Sequence, residues 1–185
     1  MRKAIIMAAI AAALLTVGFA SAAGSPGLST FGTADVFVNG DKFATFDDAG
    51  EYGGAYRRKS SNDPLSQVHV EFVNDRAVGG GAPRFSIPID EDKDSVTDAY
   101  AFIDVNNCGS STVSTDNPSC QVFLNTGGSY ANWAALVAAN PTWRLARKDL
   151  VGVKPNGKPE YDETMPFIVA DVQGDYLVHG IVLGY

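Results

Sequence analysis

The sequence is short of the residues that carry most catalytic and metal chemistry. It holds two histidines, His69 and His179, so three-histidine zinc coordination is impossible within one chain. Each reads as a strand-face residue. There is no H-E-x-x-H and no G-x-S-x-G, which leaves a zinc protease and an α/β-hydrolase without support. Gly79-Gly80-Gly81 lacks the Lys-Ser/Thr that follows in a phosphate-binding loop, and reads as a flexible connection. Basic residues are few: 14 Lys and Arg stand against 21 Asp and Glu, for a net charge of −7. Nucleic-acid binding needs a basic face to meet phosphates, and this acidic balance counts against it. There are no heptads, internal repeats or low-complexity tracts. What is present is 45% hydrophobic and 10% aromatic residues, too much for disorder, with 19 glycines and 9 prolines that punctuate short segments. A length of 185 residues suits one domain with a tail.

The tail is an address. Met1-Arg2-Lys3 is basic, residues 4–17 are uncharged with Thr16 the one polar side chain, and Ala20-Ser21-Ala22-Ala23 offers small residues for a signal peptidase. Residues 1–22 are expected to be a cleaved signal peptide; a cut after Ala23 also fits. The rival, a retained anchor, has an apolar run short of the roughly 20 residues that span a bilayer. No cysteine follows the cut, so no lipid anchor is expected, and no later stretch is apolar enough to cross a membrane. The processed chain keeps 12 basic and 21 acidic residues, a net charge of −9. The expected location is extracellular. The two cysteines, Cys108 and Cys120, lie beyond the cut and flank polar turn residues, the pattern of a structural disulfide formed in an oxidising compartment.

Periodicity then sets the fold class. Residues 23–30 read as a flexible leader before one domain over 31–185. Residues 35–46 read as two strands around Asn39-Gly40, a pair that tolerates the positive φ of a type I′ turn. Residues 47–66 have no period and read as a long loop. Val68, Val70 and Phe72 alternate with His69 and Glu71, and Phe85, Ile87 and Ile89 with Arg84, Ser86 and Pro88; both are strands. Pro88 has no N–H, which predicts an edge or a bulge. Residues 99–105 place Tyr100 and Phe102 opposite Ala101, Ile103 and Val105. Residues 121–124, 143–145 and 150–153 read as short strands. Residues 129–139 form the one expected helix, with Ser129 as cap and Asn140-Pro141 as stop. Residues 154–165 read as a loop, and 166–183 as two apolar strands around a glycine-containing turn. Eight to ten short strands without βαβ alternation predict an antiparallel β-sandwich, jelly-roll-like, with one short helix.

Two features invite a ligand. Asp90, Asp92, Asp94 and Asp98 match positions one, three, five and nine of an EF-hand-type calcium loop, which makes calcium the candidate ligand of this turn. Position six is Ser95, where glycine is wanted, and position twelve is Ala101, so Asp104 or a carbonyl would have to complete the shell. The alternative is a solvated acidic turn between two strands. Gly80-Gly81-Ala82-Pro83-Arg84-Phe85, followed by this turn and a cysteine, resembles secreted bacterial β-rich proteins in which a G-S/A-P-R-F strand leads into an Asp-rich turn. The resemblance spans about 30 residues and implies an exported β domain. The second feature is aromatic: Tyr52 and Tyr56 beside Arg57-Arg58-Lys59, the one basic run of the processed chain, suit the stacking of sugar rings on flat side chains. Trp133 and Trp143 read as core.

These observations predict a secreted, non-catalytic binding or surface protein whose partner is an extracellular glycan or a cell-envelope component. One alternative is a small polysaccharide-acting hydrolase that uses carboxyl groups such as Glu71, Asp104 or Asp171. The other is a structural or adhesion module.

Overall fold

The computed structural model describes residues 28–33, 45–46, 50–59, 61–75 and 80–185. The expected signal peptide and the strands around Asn39-Gly40 lie outside these residues, apart from Thr45–Phe46. The fold is mainly β with antiparallel sheets, a β-sandwich as the alternation requires. The larger sheet has the order β1 (Leu28–Gly32), β3 (Gly53–Arg57), β13 (Phe167–Ala170), β5 (Arg84–Asp90), β6 (Ala99–Asp104), β8 (Val122–Leu124), β9 (Ser129–Tyr130), with β10 (Arg144–Leu145) extending alongside the end of β5. The smaller sheet is β15 (Val178–Gly184), β4 (His69–Asn74), β7 (Thr112–Ser114). Two strand pairs complete the set: β2 (Thr45–Phe46) with β14 (Gly174–Asp175), and β11 (Lys148–Val153) with β12 (Pro159–Glu163).

Period-two strands bury one face. Phe85, Ile87 and Ile89 of β5 lie level with Ile103, Ala101 and Ala99 of β6, and all six are buried. Val70 and Phe72 of β4 meet them from the smaller sheet, with the Phe72 and Phe85 rings 4.9 Å apart. Each large side chain buried this way stabilises the fold by about 2–3 kcal/mol relative to exposure. Helix α1 (Val105–Cys108) is capped by Asp104, whose Oδ1 accepts from Asn107 N at 2.9 Å. It delivers Cys108 to a disulfide with Cys120. Helix α2 (Trp133–Ala139) buries Trp133 and Leu136, and Trp133 Nε1 donates to the Leu65 carbonyl at 3.0 Å. Trp143 packs half-buried against the same core.

Several expectations need correction. Leu28 to Thr30, assigned to the flexible leader, begin strand β1, which pairs with β3. Residues 53–57, assigned to the long loop, are β3 itself. Gly54 is there for packing: a Cβ on it would stand 2.0 Å from the Ile168 carbonyl oxygen and 2.5 Å from Phe31 Cζ. Pro88 is neither at an edge nor in a bulge. It lies in a central strand, at the gap where β13 has ended and β10 begins, so the missing N–H interrupts no ladder. Among the described residues a four-residue helix, α1, accompanies the expected one; Ser129 is in β9, and Asn132 caps α2 through Ala135 N. Within the loop expected over 154–165, Pro159–Glu163 form β12, joined to β11 by a turn in which Gly157 has φ +80°. The two terminal apolar strands do not pair: β13 joins the larger sheet and β15 the smaller.

Candidate functional site

Burying one face of the larger sheet leaves the alternate residues on the other. Register partners of antiparallel strands point the same way, so the pairings define a row across this outer face. It runs from Tyr56 on β3 to Phe167 on β13, Ser86 on β5, Phe102 on β6 and Phe123 on β8. Four interstrand steps of about 4.8 Å make the row roughly 19 Å long. Phe31 on β1 and Tyr100 on β6 flank it. The four aromatics of the row and the two beside it are half-buried, and Ser86 is buried between the rings. Phe167 meets Phe31 edge-to-face at 5.5 Å and Tyr100 at 6.1 Å, while Phe31 lies 6.2 Å from Tyr56. These contacts fix the rings against one another.

Polar groups sit among the rings. Arg84 donates both terminal nitrogens to the two oxygens of Asp171, each at 2.6 Å, and its guanidinium carbon lies 5.3 Å from the Phe102 ring centre. The planar fork matches a carboxylate and stacks on an aromatic face, which a lysine cannot do in the same way. Nearby, burial and then the charge of Asp171 raise the Tyr176 hydroxyl above its usual pKa. At the other end the β11–β12 hairpin closes over Tyr100. The Tyr100 hydroxyl donates to Asp149 Oδ2 at 2.5 Å and lies 3.2 Å from Thr164 Oγ1. Burial first, then the Asp149 charge, push this hydroxyl far above the ordinary tyrosine range. Asp149 faces Asp162 across the hairpin, and Asp162 Oδ2 is buried with no hydrogen-bond partner.

The binding residues expected from sequence do not converge. Tyr56 joins the outer row. Arg57 lies on the opposite face, where its carbonyl accepts from the Tyr185 hydroxyl at 3.2 Å; Arg58 is exposed past the strand end, and Tyr52 lies before its start against Thr33. Burial, opposed by Arg57, raises Tyr185 to about 12. The three carboxylates considered for hydrolysis are also separated. Glu71 is on the smaller sheet, Asp104 caps α1, and Asp171 is held by Arg84. His69 and His179 lie on strands of the smaller sheet, as expected, and pair with Asp116 at 2.8 Å and Asp75 at 3.0 Å.

Of the four aspartates considered for calcium, Asp90, Asp92 and Asp98 bring carboxylate oxygens within 4.8 Å of one another. Asp94 instead accepts from Val96 N at 2.7 Å. Buried Asp90 accepts from Lys93 N at 2.6 Å, Ser95 N at 2.9 Å and Asn62 Nδ2 at 3.1 Å. Asp98 accepts from Glu91 N at 2.8 Å, and burial and then Asp98 raise the Glu91 carboxyl. Ala101, at the twelfth position, is buried in the core, and Asp104 is at the far end of β6 from Asp90. The turn is therefore closed by its own backbone donors, with three carboxylates where calcium takes six to eight oxygens.

In comparison with known proteins, the chain matches no family model, no curated sequence and no solved structure. Among the described residues, no helix is long and apolar enough to cross a membrane. That and the Cys108–Cys120 disulfide are compatible with an extracellular protein.

The outer row was missed from sequence because each strand contributes a single ring to it. Alternation gives the face a residue points to, as it did for Tyr100 and Phe102. The order in which distant strands sit side by side is set by tertiary structure.

Proposed function

We propose that this is an exported, non-catalytic binding protein that presents the outer face of its larger sheet to an extracellular glycan. The observation that carries the reading is the cross-strand row Tyr56, Phe167, Ser86, Phe102, Phe123, with Arg84 and Asp171 beside it. Sugars present apolar ring faces and polar rims. A ligand of that kind gains from flat side chains backed by a rigid sheet and from a planar cation set among them. The test is retention on a panel of insoluble polysaccharides. Retention by at least one glycan, lost in Phe102→Ala and Phe167→Ala variants that still melt cooperatively, supports the reading. Absence of retention on every glycan removes it.

The hydrolase reading has one observation in its favour, the facing pair Asp149 and Asp162 beside Tyr100. It is the weaker reading because Asp149 is only 8% exposed and is committed to Tyr100. Polysaccharide turnover that disappears in Asp162→Asn would favour it.

A further inference from the structure

Resting on the glycan-binding reading, we infer that the ligand is a neutral oligosaccharide lying across the strands, along the row from Tyr56 to Phe123. The row gives the direction. Ser86 is buried and stands in register between Phe167 and Phe102, so the strands that carry these two rings are two interstrand steps, about 10 Å, apart with a small residue between them. A chain running along the row meets both rings.

Charge gives the ligand class. Register places Arg84 and Arg144 on this face, against Asp90, Asp104 and Asp171. Arg84, the cation among the rings, has its charge cancelled by a bidentate carboxylate. Arg144 lies level with the buried Asp90 and donates to the Asn62 carbonyl at 2.7 Å. An acidic sugar would thus meet no excess positive charge at the site, and the acidic chain repels it at a distance. A neutral sugar needs donors, not net charge. Asp171 takes two of the five N–H donors of the Arg84 guanidinium, and the remainder suit hydroxyl oxygens over the Phe102 ring.

Affinity electrophoresis of the exported protein through gels containing soluble polysaccharides tests this. Galactomannan, xylan and hydroxyethyl cellulose serve as neutral probes, and polygalacturonate and alginate as anionic ones, each at low and high salt. The expected result is retardation by a neutral polymer, insensitive to salt, with little by the anionic pair. Phe123→Ala, on a short strand toward the sheet edge, should weaken it about tenfold, the scale of one lost aromatic contact. Asp171→Asn, which leaves the Arg84 charge uncancelled, should gain salt-sensitive retardation by polygalacturonate. A wild-type preference for the anionic polymers would overturn the neutral-ligand inference and leave glycan binding standing. Retardation by no polymer would overturn both. Thermal melts of each variant separate lost binding from lost folding.

Discussion

Replacing Tyr100 by phenylalanine deletes one oxygen and tests how the β11–β12 hairpin is held to the sheet. That oxygen donates to Asp149 at 2.5 Å and sits beside Thr164 Oγ1, so it links β6 to both sides of the hairpin. A hydrogen bond to a charged group contributes about 1.5–3 kcal/mol net, and a buried carboxylate that loses a donor adds a desolvation cost. Asp149 is 8% exposed, so water does not readily replace the donor. The expected loss is about 3 kcal/mol, which for a domain of this size lowers Tm by roughly 10 °C. Scanning calorimetry measures it, and a double-mutant cycle with Asp149→Asn isolates the pair. Coupling of about 1.5 kcal/mol or more is expected, because the two changes remove the same interaction. A fall below about 1 °C with no coupling would show that the hydroxyl does not pin the hairpin, and the reasoning would fail.

Other predictions follow from single observations. Gly54→Ala drives a Cβ into the Ile168 carbonyl and Phe31, and should cost about 3 kcal/mol, the upper range for overpacking. Gly152→Ala, with nothing within 4 Å of the added atom, should be near neutral in the same denaturant titration. Asp90→Ala removes the acceptor for three donors and should destabilise the fold by about 3–4 kcal/mol. Millimolar calcium should leave the Tm of the unaltered protein where it is; a rise that vanishes in Asp92→Asn would instead assign the turn to calcium. Tyr100, Tyr176 and Tyr185 all have raised pKa values, Tyr185 to about 12. In the unfolded chain they ionise near the ordinary 10.0, so above that pH the unfolded state binds fewer protons. Stability should therefore be intact below pH 10.0 and fall as pH rises toward and through about 12. Urea melts across this range, with ultraviolet titration of the phenols, check the sign.

The strands that alternate cleanly were legible in the sequence. Val68, Val70 and Phe72, and Phe85, Ile87 and Ile89, are buried as their spacing requires. The disulfide was legible from two cysteines in a chain read as exported. β3 was not, because Gly53 and Gly54 look like punctuation, whereas Gly54 is what lets β1 and β13 approach. β12 was not, because its side chains are mostly exposed and charged, and no buried face marks it. Pro88 misled for a related reason: a missing donor matters only where a neighbour is in place to accept from it. Of the candidate site, the aromatic chemistry was legible and its address was not. Tyr56 was singled out with Tyr52, Arg57 and Arg58 on nearness in sequence, whereas its partners Phe167, Phe102 and Phe123 come from other strands.

The central claim is that the outer face of the larger sheet is where ligand docks. The most direct measurement is an NMR titration of the protein with a neutral oligosaccharide, following amide and aromatic resonances. The account predicts that the largest shifts fall on Tyr56, Phe167, Phe102 and Phe123, with the Arg84 side chain moving alongside them. Shifts confined to the smaller sheet, around His69 and Glu71, or to Arg57 and Arg58, would contradict it.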